Sequence, residues 1–537
     1  MLHSFARGRS GNFAILSALL ALPLVLSAGL ALDFTTLSRT RASLQQAMDS
    51  AALSIAREGE LLTTAQANLI AADFLDENYD RNYTDLRVVR ADDGVTVDAL
   101  TMVPLAFGSL FGYEKWPVLA SSTANVAYTA YEVGLVLDTT GSMAGGKLAA
   151  MKEAVVGLVD TMSAQVADPG KLKFAVVPFA NFVNVGPQHA PKFDKKNKLI
   201  KGTGAPWLDL KGKVEVEQLE LKGVSRFEAF NNLGQAWAGC VETRHPNKKA
   251  AHDTDDTAPK GKGLFVPAFS IDEPDTPAFD NSYIVSAVDP LDKSKAGKAK
   301  KLQKYGVPGP LVASIVGLGV GNQDDDDEEE EDSSQAAPTD WQAVETNYTG
   351  GKGPNAACST QPLMPLSNDY AAIKAMVAGL QAGGTTNILE GVAWGARVLS
   401  PEEPFTQGSP RTATNVDRIM IVLTDGANVL GNANNSLGST YSSFGYLVDG
   451  RLGIDAGSAS DTNALMNART LEACAHAKAD GYTIYTIRLE EPDVKTGTLL
   501  SECASSPGHY FDVPTRSKLD EVFSAIRSAI VRVRLAS

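Results

Sequence analysis

The chain has 537 residues and a formal net charge of −15. This length is enough for two or three domains with a sizeable core, and the acidic balance disfavours general nucleic-acid binding. None of the four cysteines is in a CxxC pair, which argues against a thiolate zinc site. The six scattered histidines lack an HExxH motif, so a hydrolytic zinc site has no support.

The amino-terminal segment has the pattern of a membrane anchor. Residues 1–12 are short and basic, and residues 13–32 form an uncharged run of 20 residues, long enough to cross a bilayer. The basic flank predicts that residues 1–12 stay in the cytoplasm and that the rest of the chain lies outside. A cleaved signal peptide is the alternative. We favour a retained helix because the apolar run is long and no Ala-x-Ala site follows at the right place.

Residues 33–127 predict a continuing helix and a small α+β domain. The helix covers residues 34–58, residues 64–78 form a second helical piece, and residues 95–103 read as a strand. Apolar side chains recur at roughly heptad spacing along the first helix: Leu37, Leu44, Met48, Ala51 and Ile55. We interpret this stripe as packed on the small domain. The alternative is a seam for a partner helix near the membrane.

The run over residues 7–56 resembles the start of TadG-like proteins of the tight-adherence (Flp) pilus system. It contains a basic stretch, Gly11-Asn12, an apolar helix, Asp33 and an alanine-rich helix with paired glutamines. The resemblance implies a single-pass inner-membrane protein with its bulk in the periplasm, acting in pilus assembly or anchoring and in surface attachment. Pilus components or pseudopilins are the implied partners. A von Willebrand A-like region is expected after the anchor.

The central motif is the stretch 133–143, VGLVLDTTGSM. Its apolar residues predict a buried strand that ends at Asp138, followed by a tight polar loop with Thr140 and Ser142. One carboxylate and two hydroxyls at alternate positions can converge on one point, and hard oxygen ligands suit Mg²⁺ or Mn²⁺. Ligands of open α/β sheets bind at this end of a strand.

Two later stretches extend this motif. Residues 383–387, GGTTN, precede a helical segment, and the apolar strand 419–423 leads to Asp425. Together the three motifs resemble the metal-ion-dependent adhesion site of von Willebrand factor A domains, with Thr140 in the middle hydroxyl position. By the same resemblance, spacing to Gly391 favours Thr386 as the metal-binding threonine, with Thr385 as the alternative.

The resemblance also implies how such a site works. Ser142 and Thr140 are expected to bind Mg²⁺ (or Mn²⁺ or Ca²⁺) directly, while Asp138 and Asp425 hold coordinated waters and balance charge. Thr386 is expected close by or reached through water, and an Asp or Glu of a protein partner fills the open position. A simpler alternative is that Asp138 and Asp425 only cap the helices that follow their strands.

A nucleotide-dependent enzyme is the first rival interpretation. Residues 141–147 satisfy GxxxxGK, and the strand before Asp425 can pass for a second nucleotide motif. However, Leu148 stands where a P-loop needs Ser or Thr, and this interpretation leaves Asp138 unexplained. Since no nucleophile with a neighbouring base can be argued, we predict a binding protein and no enzyme. A second rival is a structural anchor whose metal site is not used for binding.

Helices and strands alternate over the rest of the chain. This predicts an α/β fold: a von Willebrand A-like, doubly wound parallel sheet over residues 131–537, interrupted by a large insertion at 188–365. The predicted helices are 147–165, 369–380, 386–399, 461–480 and 518–533, and the predicted strands are 171–178, 419–423 and 482–489.

The insertion is predicted to be partly folded. Residues 264–269 and 283–288 read as short strands, and residues 305–321 as a loop or a strand pair. The acidic block 324–332 is predicted to be disordered, because it lacks the spaced ligands and turn glycine of an EF-hand calcium loop.

The cysteines are predicted to form two disulfides, because an oxidising exterior favours them. Cys474 is expected on a helix and Cys503 in the loop after strand 482–489, so these two can be neighbours. Cys240 and Cys358 would then close the insertion. Four free buried thiols are the alternative.

Overall fold

The computed structural model describes residues 11–58, 63–91, 94–124, 130–166, 168–214, 216–244, 253–274, 280–284, 288–317, 346–431 and 434–530. The described chain divides into two compact units, one within residues 1–128 and the other at Thr129–Ile530. The predicted cytoplasmic tail falls almost wholly outside the described residues, and the acidic block 324–332 falls wholly outside them.

The first unit combines two helices with a three-stranded antiparallel sheet in its described part. A single helix of 48 residues carries both the predicted span and the predicted helix after it. A capping box between Thr63 and Gln66 starts the second helix and satisfies its free N–H groups. The elements are α1 (Gly11–Glu58), α2 (Thr64–Asn78), β1 (Thr84–Ala91), β2 (Gly94–Pro104) and β3 (Lys115–Ala124).

The apolar stripe of α1 forms the core of this unit. Leu44, Met48, Ala51 and Ile55 are buried against α2 and the sheet, whereas Leu37 is only partly buried. The interpretation of the stripe as internal packing is therefore confirmed. Within Ser17–Ala56 of α1, a window of 18 residues is apolar enough to cross a membrane, by length and composition, and only 11% of that window is buried.

The second unit is built on a doubly wound sheet, as predicted. Its described residues form six strands in the order β6-β5-β4-β7-β8-β9, all parallel except β6, which pairs antiparallel with β5. The central strands are buried from Tyr131 and Arg418 onwards because helices cover both faces. The strands are β4 (Ala130–Asp138), β5 (Leu172–Phe179), β6 (Met364–Ser367), β7 (Val416–Thr424), β8 (Thr483–Leu489) and β9 (Tyr510–Val513).

The helices of this unit follow the predicted alternation, with three in the described part of the insertion and one late helix that the sequence did not predict. They are α3 (Gly146–Gln165), α4 (Arg226–Asn232), α5 (Lys295–Gln303), α6 (Gly309–Val316), α7 (Tyr370–Gly379), α8 (Ile388–Leu399), α9 (Ala459–Ala479), α10 (Val494–Cys503) and α11 (Leu519–Ile530).

Within the insertion, the predicted strand 264–269 is wrong. The segment makes only isolated bridges, from Phe265 to Leu208 and from Pro267 to Val241. Its backbone bonds alternately to two different neighbours, and Pro267 has no N–H to extend either ladder. In the predicted strand 283–288, Ile284 likewise makes an isolated bridge, and residues 285–287 lie outside the description.

The prediction of a loop or strand pair at 305–321 is also wrong, because most of its described part is helix α6. The sequence contained both end signals of that helix. Pro310 lies in the first turn, where its missing N–H costs nothing, and Gly317 ends the helix in the left-handed region at φ 69°.

The insertion shares one hydrophobic core with the sheet. Trp207 and Phe265 of the insertion pack with Trp394 and Phe405 in the same buried cluster.

Every residue of α8 is buried as a result, including its polar ones. Glu390 bonds to Thr243 and Arg397 to Asp253, both of which belong to the insertion. A buried charge is tolerated only with such partners.

The structure contains the two disulfides that were predicted. The Cα atoms of Cys240 and Cys358 are 5.7 Å apart, and those of Cys474 and Cys503 are 5.3 Å apart. Cys503 is the last residue of α10, not part of a loop.

Candidate metal centre

Two acidic residues lie where two neighbouring strands of the sheet end. Asp138 is the last residue of β4, and Asp425 directly follows β7. The two strands pair in parallel up to Leu137 and Leu423. The chain continues from β4 to β5 on one side and reaches β7 on the other, so the strand order reverses here. Such a reversal opens the crevice in which α/β proteins bind ligands.

Asp138 is fully buried and held by two hydrogen bonds. Its Oδ1 accepts from the backbone N–H of Thr140 at 2.8 Å, and its Oδ2 accepts from the hydroxyl of Thr424 at 2.6 Å. Burial raises the pKa of Asp138 from 3.8 to about 6, against these bonds, and the charge of Asp425 adds to the rise. A nearby cation would stabilise the ionised form. Thr424 had no predicted role, although its place at the end of β7, directly before Asp425, is a usable signal.

The hydroxyls of the central motif connect the two acids. The Oγ of Ser142 donates to Oδ1 of Asp425 at 2.6 Å, and it lies 3.0 Å from Oγ1 of Thr140. Thr140 is buried, whereas Ser142 is exposed. Residues distant in sequence therefore form one polar chain from Asp138 through Thr140 and Ser142 to Asp425.

Helix capping does not account for these acids. Directly after β4 comes a 3-10 turn, Gly141–Met143, whose N-cap is Thr140. The α-helix that follows is α3, and its N-cap is Gly145, which offers no side chain. Asp138 instead bonds to the loop and to the neighbouring strand. The side-chain bonds of Asp425 that the structure describes go to Ser142 and Lys147.

The loop before α8 is fixed against the loop after β4 by backbone hydrogen bonds. The N–H of Gly383 donates to the carbonyl of Thr139 at 2.8 Å, and the N–H of Gly141 donates to the carbonyl of Gly384 at 3.0 Å. The GGTTN stretch therefore lies directly beside the central motif.

Two glycines let α8 approach the sheet closely enough for this contact. A Cβ added at Gly391 would stand 2.7 Å from Cδ1 of Phe179, and one at Gly395 would stand 2.6 Å from Cγ2 of Val136. Larger residues would push the helix, and with it the loop at its start, away from the strand ends.

Thr386 adds a further hydroxyl. Its Oγ1 lies 3.3 Å from the point that a Cβ on Gly426 would occupy, and the Oγ of Ser142 lies 3.8 Å from the same point. Gly426 thus leaves a small space between the two hydroxyls. The hydroxyl of Thr385 is buried and has no hydrogen-bond partner among the described residues.

Lys147 places a cation at this site. Its Nζ lies 2.7 Å from Oδ2 of Asp425, and its side chain is 22% exposed. A lysine that binds phosphates must have its ammonium free for them. This one is paired with Asp425, and the neighbouring Leu148 is buried, so the geometry does not favour the nucleotide interpretation.

The donor set fits a small, hard cation. It offers hydroxyl and carboxylate oxygens, the ligands that Mg²⁺ prefers, around a space at Gly426. The ammonium of Lys147 already shows that a positive charge is accepted at Asp425. No group of three or more His, Cys, Asp or Glu side chains with metal-binding geometry occurs among the described residues, so this set depends on its hydroxyls.

Solved structures similar to this chain include three pilus proteins. A pilus adhesin, SpaC from Lactobacillus rhamnosus GG, is 10% identical over 83% of this chain and 34% of its own, with a TM-score of 0.31. The vWF domain of the type V pili tip protein Mfa5 from Porphyromonas gingivalis is 10% identical over 76% of this chain and 98% of its own, with a TM-score of 0.33. The pilus adhesin RrgA from Streptococcus pneumoniae is 9% identical over 84% and 50%, with a TM-score of 0.33.

The fold assignment rests on the strand order, since these likenesses are weak. The chain spans only about a third of SpaC. No curated protein matches the chain. Residues 11–57, which lie in α1, match the model of the family described as putative Flp pilus-assembly TadE/G-like.

Proposed function

We propose that this protein is a membrane-anchored envelope component of a tight-adherence pilus system. Its α/β domain would be a von Willebrand A-like domain that binds Mg²⁺ and, through it, a protein partner. The family match over residues 11–57 supports the pilus context, and the apolar first half of α1 supports anchoring in the inner membrane by one pass, with the bulk of the chain outside the cytoplasm.

One observation carries the binding proposal: the convergence of Ser142, Thr140 and Asp425 within hydrogen-bond distance at the reversal of the sheet. Ser142 and Thr140 would bind the cation through their hydroxyls, and Asp138 and Asp425 would hold its waters and balance its charge. Thr386 would stand close by. When bound, the cation supplies an electrophilic position for an Asp or Glu of the partner.

Titration calorimetry with Mg²⁺ and Mn²⁺ on the full chain in detergent tests this proposal. The wild type should bind a divalent cation at millimolar concentration or below. Asp138→Ala should abolish binding, because it removes the charge that attracts the cation. Asp138→Asn should do the same while its amide oxygen still accepts from the N–H of Thr140 and its NH2 group donates to the hydroxyl of Thr424. This variant separates loss of charge from loss of structure.

Asp160→Ala is the matched control, since Asp160 is an exposed acid on α3 whose contact is an ion pair with Lys374. It should leave binding unchanged. If the wild type binds neither cation, the adhesion-site mechanism is wrong and the fold alone remains.

A structural anchor is the second candidate, and the Lys147–Asp425 ion pair favours it. In that case the ammonium balances Asp425 permanently, and the site only holds loops together. Cells whose protein carries Asp138→Asn would then attach to surfaces as well as the wild type. Under the binding proposal they lose attachment.

A further inference from the structure

The first unit exposes an apolar loop beside the predicted membrane span. The loop, as we define it, covers residues 105–116, which are the connection from β2 to β3 and the first two residues of β3. Its exposed side chains are Leu110 at 68%, Phe111 at 54%, Tyr113 at 57% and Trp116 at 46%. Single exposed apolar residues are ordinary, but a cluster of large ones on one loop marks a contact surface.

The loop is folded and fixed to the end of the span. The carboxylate of Asp33 accepts hydrogen bonds from the backbone N–H groups of Ala106, Phe107 and Gly108 at 2.8 to 2.9 Å. Within the loop, the N–H of Tyr113 donates to the carbonyl of Gly108 at 3.1 Å. Asp33, which ends the apolar run, therefore orients this loop.

Phe107 sets the depth of the loop along the helix. A Cβ added at Gly29 would stand only 2.2 Å from Cδ1 of Phe107, so the ring lies directly on the helix there. Gly29 precedes Leu32, the end of the apolar run, by three residues, or about 4.5 Å of helix rise. When the run is in the bilayer, Phe107 is within the apolar layer too.

We propose that the loop 105–116 enters the outer interface of the bilayer and forms a second membrane contact. The proposal rests on the membrane anchoring proposed above. Its occupant is lipid, because the exposed loop is continuous with the exposed apolar face of the span, which includes Leu30 and Leu32. Tyr and Trp are typical of the membrane–water interface, where one end of the ring is apolar and the other meets water.

The charge of the loop sets the lipid chemistry. Glu114 and Lys115 are both exposed and offset one another. The contact therefore needs no anionic headgroup, and vesicles of phosphatidylcholine alone should suffice. The loop would fix the tilt and rotation of α1, and so the orientation of the first unit on the membrane.

Lipid quenching of Trp116 tests the proposal. The full chain is reconstituted into phosphatidylcholine vesicles with ordinary or bromine-labelled acyl chains, and the fluorescence of Trp116 is taken as the difference between wild type and Trp116→Phe. Brominated lipid should remove at least half of this difference. An equal signal in both lipids overturns the proposal.

Two substitutions locate the effect. Leu110→Asp and Phe111→Asp should each lower the quenching of Trp116 at least twofold and increase its access to aqueous iodide. Leu69→Asp changes a residue that is 65% exposed on α2 and should alter neither. If all three variants change the quenching and the iodide access of Trp116 to the same extent, the loop is not in the membrane.

Alkaline carbonate extraction separates the failure of this proposal from that of the anchor. A chain that leaves the membrane on extraction refutes both. A chain that stays while Trp116 is unquenched refutes only the loop contact. Shielding of Trp116 from iodide without lipid quenching would mean a second copy covers it, and this also overturns the proposal.

Discussion

Lys147 is the residue that separates the two candidate functions. Its ammonium lies 2.7 Å from Asp425, which Ser142 also contacts. The ammonium of Lys147 beside Asp425 either competes with a divalent cation or replaces it. In the sequence, this lysine stood out only as the end of the GxxxxGK pattern, since nothing local indicates that it reaches a strand end 278 residues away.

Lys147→Met should strengthen Mg²⁺ binding. Charges of +1 and +2 about 6 Å apart in a water-like dielectric repel by roughly 1.4 kcal/mol, which is about tenfold in affinity. Calorimetry on the full chain measures the change, and Lys147→Arg, which keeps the charge, is the control. An unchanged or weaker affinity in Lys147→Met would contradict this account of the site.

Asp449 is a second residue with a distinct electrostatic environment. Burial raises its pKa from 3.8 to about 7, against the hydrogen bond from the N–H of Tyr446 and the nearby charge of Arg451, and Glu242 adds to the rise. Because the folded pKa is above the unfolded one, the protonated acid favours the fold. This contribution is complete below about pH 4 and is lost as the pH rises towards 7.

Asp449→Asn should therefore remove a pH dependence of stability. At low pH, the protonated side chain of Asp449 contributes up to about 4 kcal/mol to the free energy of unfolding. The melting temperature of the wild type should fall relative to the variant between pH 4 and 7, and the gap should then stay constant. Glu472→Gln, at an exposed carboxylate of α9, should track the wild type. A constant gap between Asp449→Asn and wild type across this range would be inconsistent with the raised pKa.

In the candidate site, the sequence predicted which side chains lie near one another better than it predicted which of them form bonds. Asp138, Thr140 and Ser142 follow one strand, so their proximity is dictated locally. Asp425 joins them because parallel strands end at one edge of the sheet. The bond from Thr424 to Asp138 and the pairing of Lys147 depend on side-chain rotamers and on strand order, which single-sequence patterns do not contain.

At the scale of elements, α1 joins two environments in one helix. Its first half exposes Leu22 and Leu24, whereas its second half buries Met48 and Ala51 completely. The sequence shows this change as a switch from a continuous apolar run to a stripe at helical spacing. The unit is thereby attached rigidly to the helix that is predicted to span the membrane.

Met48→Ala should destabilise the first unit by about 2–5 kcal/mol, the usual cost of truncating a buried large side chain. Hydrogen exchange of β2 in the full chain measures the loss. Asp49→Ala changes the adjacent exposed residue and should have little effect, since its described contact is with Gln45 on the same helix. If β2 exchanged its amide hydrogens equally fast in both variants, the apolar stripe of α1 would not stabilise the first unit.

Helices α6 and α8 have features that the sequence pattern does not predict. Local signals mark both ends of α6, with Pro310 in its first turn and Gly317 after its last residue. Its apolar, glycine-rich surroundings nevertheless mask the helical period. The sequence does not show that Glu390 and Arg397 of α8 are buried, because their partners Thr243 and Asp253 lie far away in the insertion. Burial of this kind follows from tertiary packing alone.

At the scale of the molecule, the insertion is part of the α/β unit. It enters between β5 and β6, and its aromatic residues join the buried cluster that contains α8. Most of its buried apolar residues therefore share the core of the sheet. Among the described residues, the small cluster of Val214, Val216 and Val266 belongs to the insertion alone. Its disulfide, Cys240–Cys358, encloses a sequence separation of 118, whereas Cys474–Cys503 encloses 29.

Removing each disulfide in turn tests whether the insertion and the sheet unfold together. In the chain-entropy model, the longer loop gives the larger constraint, by about 1.2 kcal/mol. The pair Cys240→Ala and Cys358→Ala should thus lower the melting temperature more than the pair Cys474→Ala and Cys503→Ala. Scanning calorimetry of the full chain under non-reducing conditions measures both.

The shape of the calorimetric trace carries the further information. Because the insertion and the sheet bury their apolar side chains against each other, loss of Cys240–Cys358 should shift one transition of the second unit without splitting it. An independent insertion would melt separately, at a lower temperature, and leave the transition of the sheet in place. Such a split would show that the insertion folds on its own and that α8 does not require it, whereas a greater loss from the Cys474–Cys503 pair would contradict the argument from loop length.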